Sequence, residues 1–539
     1  MPHVPVTREW ITQSESMRPD SGMGQPGQPT LSRSLTSPEI SQHSQPSPRS
    51  LSALDRQQSV GKATAESPTA TAPWGQVVGI SPAQQPYEVA FNTDARTDRI
   101  KMMGGSSSQC LMKSLDVYLE TAHIKPLSHN FRHGMKQAEE VDIPIILSLP
   151  TFPDVSVCDH FISVFAEKIH PLYPFFDIDF MKRIMQQFAQ LPTIESLPHE
   201  RVPLLVSSYL ILSLGADEDA KGITEDGTKY LLAAATLLGH VIAMPYLHAI
   251  QALLLFTVVY RGRNKDGLGW QTLGMAIRIA YTLGLHRHSH KNPQNLHVLQ
   301  DESDRIFHAR IWAVCCSLEK MMQLESGRPA TILHVDVDHM MGPDQHPPGH
   351  AFLHWHMGLA KHQGLICHHI YGHRPGERSA KEILSDTARL DRSLLSWARE
   401  IPEEFRPGSD LFCSSSDYHI AALLSIQYYQ AIIALHRAAL IVPTTTFQSE
   451  VSKHSFDDSS RLRLLAGEAI CVSGARTIAR LTIELSDRSV ESRILTAGPQ
   501  LLACIVLGIS LIKNTSSRST GSRIMAADME ASAVFWPRN

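Results

Sequence analysis

Three crowded sets of histidines raise metal chemistry first. His286, His288 and His290 alternate, His354 and His356 do the same, and His362, Cys367, His368, His369 and His373 gather in a third stretch. A zinc site needs three or four such ligands converging at about 2.0–2.3 Å. On a helix His369 and His373 share a face, because their separation is close to one turn. The glutamate base of a zinc protease is missing, since no H-E-x-x-H run occurs. Hydrogen-bonded or partly exposed histidines are therefore expected, and no metal or other cofactor is assigned. No catalytic residue is assigned either. Gly267-Leu268-Gly269 begins like a dinucleotide fingerprint, but position 272 is Thr and the residues before it read as helix, not strand. A nucleophile elbow, a P-loop and a kinase motif set are all lacking. Asp217-Glu218-Asp219 reads as a solvated acidic cluster at a helix end.

One structural ion pair is expected instead. Arg278 sits among Ala276, Ile277, Ile279 and Ala280, beside an apolar stripe. A guanidinium near a core must be paired or reach water along its stem. Glu319, in Ser317-Leu318-Glu319-Lys320, is the carboxylate on the next helix placed to answer it. Arg310 is the rival donor, at a poor separation on the same helix. The alternative is that Arg278 and Glu319 both reach solvent.

These residues lie on a pair of helices around which the chain is organised, from Gly267 to Pro329. Trp270, Leu273, Ile277, Ala280 and Gly284 recur at helical spacing, as do Phe307, Ile311, Val314, Leu318 and Met321. Two such stripes joined by a His/Asn/Pro-rich loop predict antiparallel neighbours in a helical core. Before them, Phe161, Val164, Phe165 and Ile169 mark a first helix, broken by His170-Pro171-Leu172-Tyr173-Pro174. Asp177 then caps a second, with Phe180, Ile184 and Phe188 on one face. Further helices are predicted near 202–215, 226–240, 246–260, 352–372, 380–399, 417–440, 460–483 and 499–513, with a short one near Leu111 to Leu119. Strand signals are nearly absent; the best, Thr331 to Val337, lies in a loop. The fold class is all-α, an irregular multi-helix array behind a disordered N-terminal arm.

Composition divides the 539 residues. Residues 1–105 are rich in Ser, Pro, Gln, Thr and Gly, and read as a disordered arm carrying Ser37-Pro38, Ser47-Pro48, Ser67-Pro68 and Ser81-Pro82. Residues 106–148 form a weakly structured linker, 149–515 a helical domain and 516–539 a loose tail. The net charge of −4 argues against a broad nucleic-acid-binding surface. The start lacks the pattern of a signal peptide. The longest apolar run, Leu501 to Ile512, falls short of the roughly 20 residues a bilayer span needs, so a buried helix and no membrane association are expected. Cys110, Cys158, Cys315, Cys316, Cys367, Cys413, Cys471 and Cys504 are scattered, none in C-x-x-C spacing, which excludes a disulfide-stapled fold.

Several segments together resemble the fungal-specific transcription factor regulatory domain, the middle homology region of binuclear zinc cluster regulators. Val164 to Phe176, with His170-Pro171-Leu172-Tyr173-Pro174-Phe175-Phe176, resembles its opening. Gly269-Trp270 through Ala276-Ile277-Arg278-Ile279-Ala280 to Leu283-Gly284-Leu285-His286-Arg287 is similar to its most recognisable part. Arg310-Ile311-Trp312, Leu318-Glu319-Lys320 and Gly327-Arg328-Pro329 follow, and Tyr428-Tyr429 through Leu435-His436-Arg437 matches a later helix. The resemblance covers about 149–485 and implies an all-α regulatory region of a nuclear transcription factor. Members usually carry an N-terminal cluster of six zinc-binding cysteines. Its paired C-x-x-C ligands are missing here, so the resemblance does not extend to direct DNA binding. Either the regulator works through a partner, or an upstream segment is missing. The helical pattern also fades after Ile512, where members commonly continue.

The expectation is a transcription regulator, not an enzyme, controlling a specific metabolic or biosynthetic gene set. It is placed in the nucleus by resemblance and otherwise in the cytoplasm, and no Lys/Arg-rich import run is visible. The implied partners are the transcription machinery or a DNA-binding protein, a small-molecule effector and a second copy in a dimer. Trp270, Met275, Trp312 and Met322 are the neighbourhood for an effector pocket, weighed against plain core packing. Two other classes stay open: an all-α metal enzyme built on the histidines, and a protein-interaction scaffold.

Overall fold

The computed structural model describes a hairpin at 89–93 and 100–104, positions 107, 119 and 123–125, and the chain from 148 to 516. Within that last stretch 192–196, 288–301, 334–350, 374–376, 409, 455–457, 489–491 and 493–496 are outside the described residues. All described residues belong to the unit Trp74–Asn539.

Fifteen α-helices make up the described body. They are α1 (Val155–Lys168), α2 (Ile178–Ala189), α3 (Val202–Asp219), α4 (Glu225–Thr236), α5 (Leu238–Ala243), α6 (Leu247–Gly262), α7 (Asp266–Thr282) and α8 (Glu302–Ser326). Then follow α9 (Ala351–Ile366), α10 (Ala380–Glu400), α11 (Tyr418–Ile441), α12 (Thr444–Lys453), α13 (Asp458–Leu465), α14 (Gly467–Asp487) and α15 (Ala497–Ser516). A π-helical turn, Cys367–Tyr371, prolongs α9. The all-α reading of the body holds. The predicted helix at 460–483 is two, α13 and α14, parted at Ala466. Strands β1 (Val89–Thr93) and β2 (Ile100–Gly104) pair antiparallel, in register from Val89 opposite Gly104 to Thr93 opposite Ile100. They lie in the arm read as unstructured; alternating Val89, Phe91 and Thr93 supply the period of a strand. The Ser-Pro dipeptides, the predicted helix at 111–119 save position 119, and the tail beyond Ser516 lie outside the described residues.

Local chemistry sets the helix ends. Asp177 accepts the N–H of Phe180 at 2.9 Å, the cap expected for α2. Ser379 and Glu382 close a capping box at the start of α10, which shows a single apolar face. α3, α6 and α11 are apolar all round, and a helix of that kind is stable only when surrounded. α3 is buried from Val202 to Glu218, and α11 contributes side chains to three separate core clusters. Among the described residues α11 is also the helix long and apolar enough to cross a bilayer, and protein covers nearly all of it. The largest cluster joins α1 to α8, the second packs α11 with α14 and α15, and the third packs α9, α10 and α11. Each large buried side chain in these clusters contributes about 1.5–3 kcal/mol.

Candidate functional site

The end of α8 builds the site. Gly327 follows its last residue with φ of +68°, and its N–H returns to the carbonyl of Gln323 at 2.8 Å. A left-handed residue here stops a helix, and Gly reaches that conformation without steric cost. Pro329, two residues on, cannot rejoin a helical ladder. The chain therefore doubles back along α8. Glu319 receives it: its carboxylate accepts the N–H of Thr331 at 2.6 Å and of Ile332 at 3.0 and 3.3 Å. Lys320 completes the grip, donating to the carbonyl of Ile332 at 2.7 Å and to Glu319 at 3.3 Å. Both charged groups are buried, at 4% and 1% exposure. Glu319, Lys320 and Gly327-Arg328-Pro329 are thus one device, in which the helix holds the loop that its own end creates.

The expected pair of Arg278 with Glu319 does not form. Arg278 is exposed on α7, whereas the Glu319 carboxylate is buried and occupied by Lys320 and the loop amides. The reason is local: the reversed loop brings two amides to the Glu319 carboxylate, and the neighbouring Lys320 on α8 supplies its ammonium.

Beside the clamped loop lies a cleft of about 770 Å³. One wall is the last turn of α8 and the loop from Gly327 to Leu333; the other is the π-turn and the C-terminal half of α11. Arg328 lies over the Trp270 ring at 5.2 Å, and Arg437 over the Tyr371 ring at 4.3 Å. Tyr371 is itself tied by its hydroxyl to the carbonyl of Ala434. Glu325, also on the cleft, is met by Arg261 at 2.9 Å and by Gln430 at 3.4 Å. Burial works against the charge of Arg261, but Glu325, Tyr173 and Asp266 together hold its pKa above the usual value. Burial pushes the Cys367 thiol up to about 11 against the pull of Lys320 and Arg437, so it stays protonated near neutrality. Burial likewise lifts the Tyr371 hydroxyl to about 12. The cleft therefore offers fixed cations and neutral donors, and its thiol is not an activated nucleophile.

Other polar residues are spent on structure. Among the described residues no group of three or more His, Cys, Asp or Glu is placed to hold a metal ion. His288 and His290 lie outside the described residues. His356 is buried against Gln427 at 2.6 Å, and burial lowers its pKa to about 4. His362 bonds Ser393 at 3.0 Å, and His369 approaches Asp386, whose same oxygen Arg378 holds at 2.6 Å. Asp217 and Glu218, read as solvated, are buried in the last turn of α3. Asp217 is bound by Arg263 at 2.7 and 2.8 Å and by Thr224. Of the neighbourhood considered for a pocket, Trp312 and Met322 are core and Trp270 and Met275 pack on it; Trp270 reaches the cleft only through Arg328.

Sequence reasoning missed Arg261 with Glu325, and Asp391 with His436 and Arg463. Asp391 accepts from His436 at 2.9 Å and from Arg463 at 2.5 and 2.8 Å. Burial opposes its ionisation, yet bonds from Arg463 and His436 hold its pKa down to about 2. The signal for such groups is a charged residue at a position where the helical period demands an apolar one, as at Asp391 between Leu390 and Leu394.

Residues 162–340 match the family described as the fungal specific transcription factor domain. An uncharacterized transcriptional regulatory protein of Schizosaccharomyces pombe is 22% identical over 383 residues, 67% of this chain and 47% of its own. Cutinase transcription factor 1 beta of Fusarium vanettenii is 21% identical over 454 residues, 74% of this chain and 48% of its own. An ABC-transporter-regulating transcription factor of Aspergillus oryzae is 23% identical over 246 residues, 42% of this chain and 26% of its own. The chain thus aligns with about half the length of the first two of these relatives. No solved structure matches it. The matched stretch begins within α1 and includes the clamped loop that walls the cleft.

Proposed function

We infer that this chain regulates transcription, with the helical body over 149–515 as its regulatory domain. The observation that carries this reading is the family domain at 162–340, which contains both halves of the Glu319-Lys320 clamp and its loop. The regulated genes form a specific metabolic or biosynthetic set, in keeping with relatives named for cutinase and ABC-transporter regulation. The body senses an effector or partner and passes its state to an attached DNA-binding activity, its own or a partner's. The protein works in the nucleus and has no catalytic role.

The test is tethering. The full chain is fused to a heterologous DNA-binding module and expressed in yeast with a reporter gene. Reporter output several-fold above or below that of the module alone is expected. Unchanged output from a folded, nuclear fusion overturns the reading.

A further inference from the structure

We propose that the cleft between the clamped loop and α11 binds an amphipathic organic anion, held by Arg328 and Arg437. This rests on the regulatory reading only for its consequence, not for its binding. The charges decide the ligand class. Four fully charged side chains line the cleft: Lys320, Glu325, Arg328 and Arg437. Glu319 answers Lys320, and Arg261 answers Glu325. Arg328 and Arg437 have no carboxylate partner among the described residues, so the cleft presents two uncompensated guanidinium groups.

Their surroundings orient them for capture. Each rests on an aromatic ring, Arg328 on Trp270 and Arg437 on Tyr371. A guanidinium stacked by its face keeps its edge donors free, in the fork that suits a carboxylate or phosphate. The side-chain freedom normally lost on binding is already reduced. The rest of the lining sets apolar residues, Leu324, Pro329, Ala330, Ile332, Leu333 and Ala434, beside the polar Gln323, Ser326 and His368. Leu333 is 64% exposed, an apolar surface that an occupant would cover. The volume of about 770 Å³ falls in the range of roughly 300–1,000 Å³ usual for small-molecule sites. A charged head and an apolar body together fit this wall better than a free inorganic ion or a neutral lipid.

The test uses the purified full chain and three probes, sebacate, hexyl phosphate and 1,10-decanediol, read by thermal shift and calorimetry. Sebacate or hexyl phosphate is expected to stabilise and bind, the pair distinguishing a carboxylate from a phosphate head, while the diol does neither. Arg328→Gln and Arg437→Gln should each weaken binding about tenfold or more, the loss of a charge-assisted contact, with unliganded melting close to the parent. A matched response to the diol, no response to either anion, or full binding by the Arg328→Gln/Arg437→Gln double variant overturns the proposal. Leu333→Asp adds a repelling charge at an exposed position and should also weaken anion binding; an unchanged affinity counts against the site. A silent tethered reporter with intact anion binding sinks the regulatory reading alone. An active reporter with no anion binding sinks this one alone.

Discussion

Replacing Glu319 by Ala should be among the most costly single changes in the body. The carboxylate takes the N–H groups of Thr331 and Ile332 and faces the Lys320 ammonium at 3.3 Å. Its removal strips two backbone donors of their acceptor. It also leaves Lys320, with 2% of its side chain exposed, holding only the carbonyl of Ile332. Breaking a buried pair by removing one partner costs about 3–5 kcal/mol, because the remaining charge stays out of water uncompensated. That is a large share of a typical total stability of about 5–15 kcal/mol. The assay is urea unfolding of the purified chain, comparing midpoints at matched slope. Glu319→Gln should lie between, keeping one carbonyl oxygen for Thr331 while turning an NH₂ toward Lys320. Arg278→Ala is the control and should stay within about 0.5 kcal/mol of the parent, since Arg278 is exposed. A Glu319→Ala cost under about 1 kcal/mol refutes the clamp. An equal cost for Arg278→Ala would restore the cross-helix pair.

Three further outcomes follow from the same contacts. His356 has its pKa lowered from 6.5 to about 4, so its contribution is complete above the unfolded value and is lost as pH falls through that window. The drop is worth about 3 kcal/mol, and His356→Gln should reduce the fall in unfolding free energy between about pH 7 and pH 4, read from urea titrations, by that amount. Asp391 is held at about 2 against 3.8 unfolded. Its stabilisation of about 2 kcal/mol is present above the unfolded value and fades below it; Asp391→Asn should lower stability at neutral pH and shrink the loss below about pH 4 in acid titration followed by circular dichroism. Gly327→Ala meets no atom within 4 Å, so its cost is the left-handed backbone alone, about 1 kcal/mol in melting experiments, with Gly327→Asn milder.

Which parts were legible in the sequence follows from the range of the forces. Helix positions, the Asp177 cap and the stop at Gly327-Arg328-Pro329 depend on residues within a turn or two of each other. The seams of α7 and α8 were legible because apolar period marks the buried face. Partners across the fold were not. Arg278 stands one residue from Ile277 and Ile279, both buried, yet its own side chain points to water. Glu319 finds its N–H donors twelve and thirteen residues on, through a chain reversal that spacing alone does not specify. Asp217 looked solvated because its acidic neighbours suggest a loop, while Arg263, 46 positions away, decides its burial. The cleft needed three separate segments, only one of which is a motif end.

The place of the cleft determines what an occupant can do to the whole body. α8 inserts Ile311, Val314, Leu318 and Met321 into the first core cluster, and its Leu324 packs on the third. Glu325 then bridges Arg261 at the end of α6 to Gln430 on α11. The last turn of α8 is therefore a joint between two cores, and the cleft opens along that joint. A ligand shifts an equilibrium only by its difference in affinity for the two states. Moving a population from 1:99 to 99:1 takes about 5.5 kcal/mol. Two charge-assisted contacts at about 1.5–3 kcal/mol each supply about 3–6, which is enough only when both arginines engage and only if both contacts are lost in the other state. One arginine supplies half, so Arg328→Gln or Arg437→Gln alone should still bind an anion weakly and give only a partial reporter response to it. A single variant that keeps the full reporter response would place the joint elsewhere than between Arg328 and Arg437.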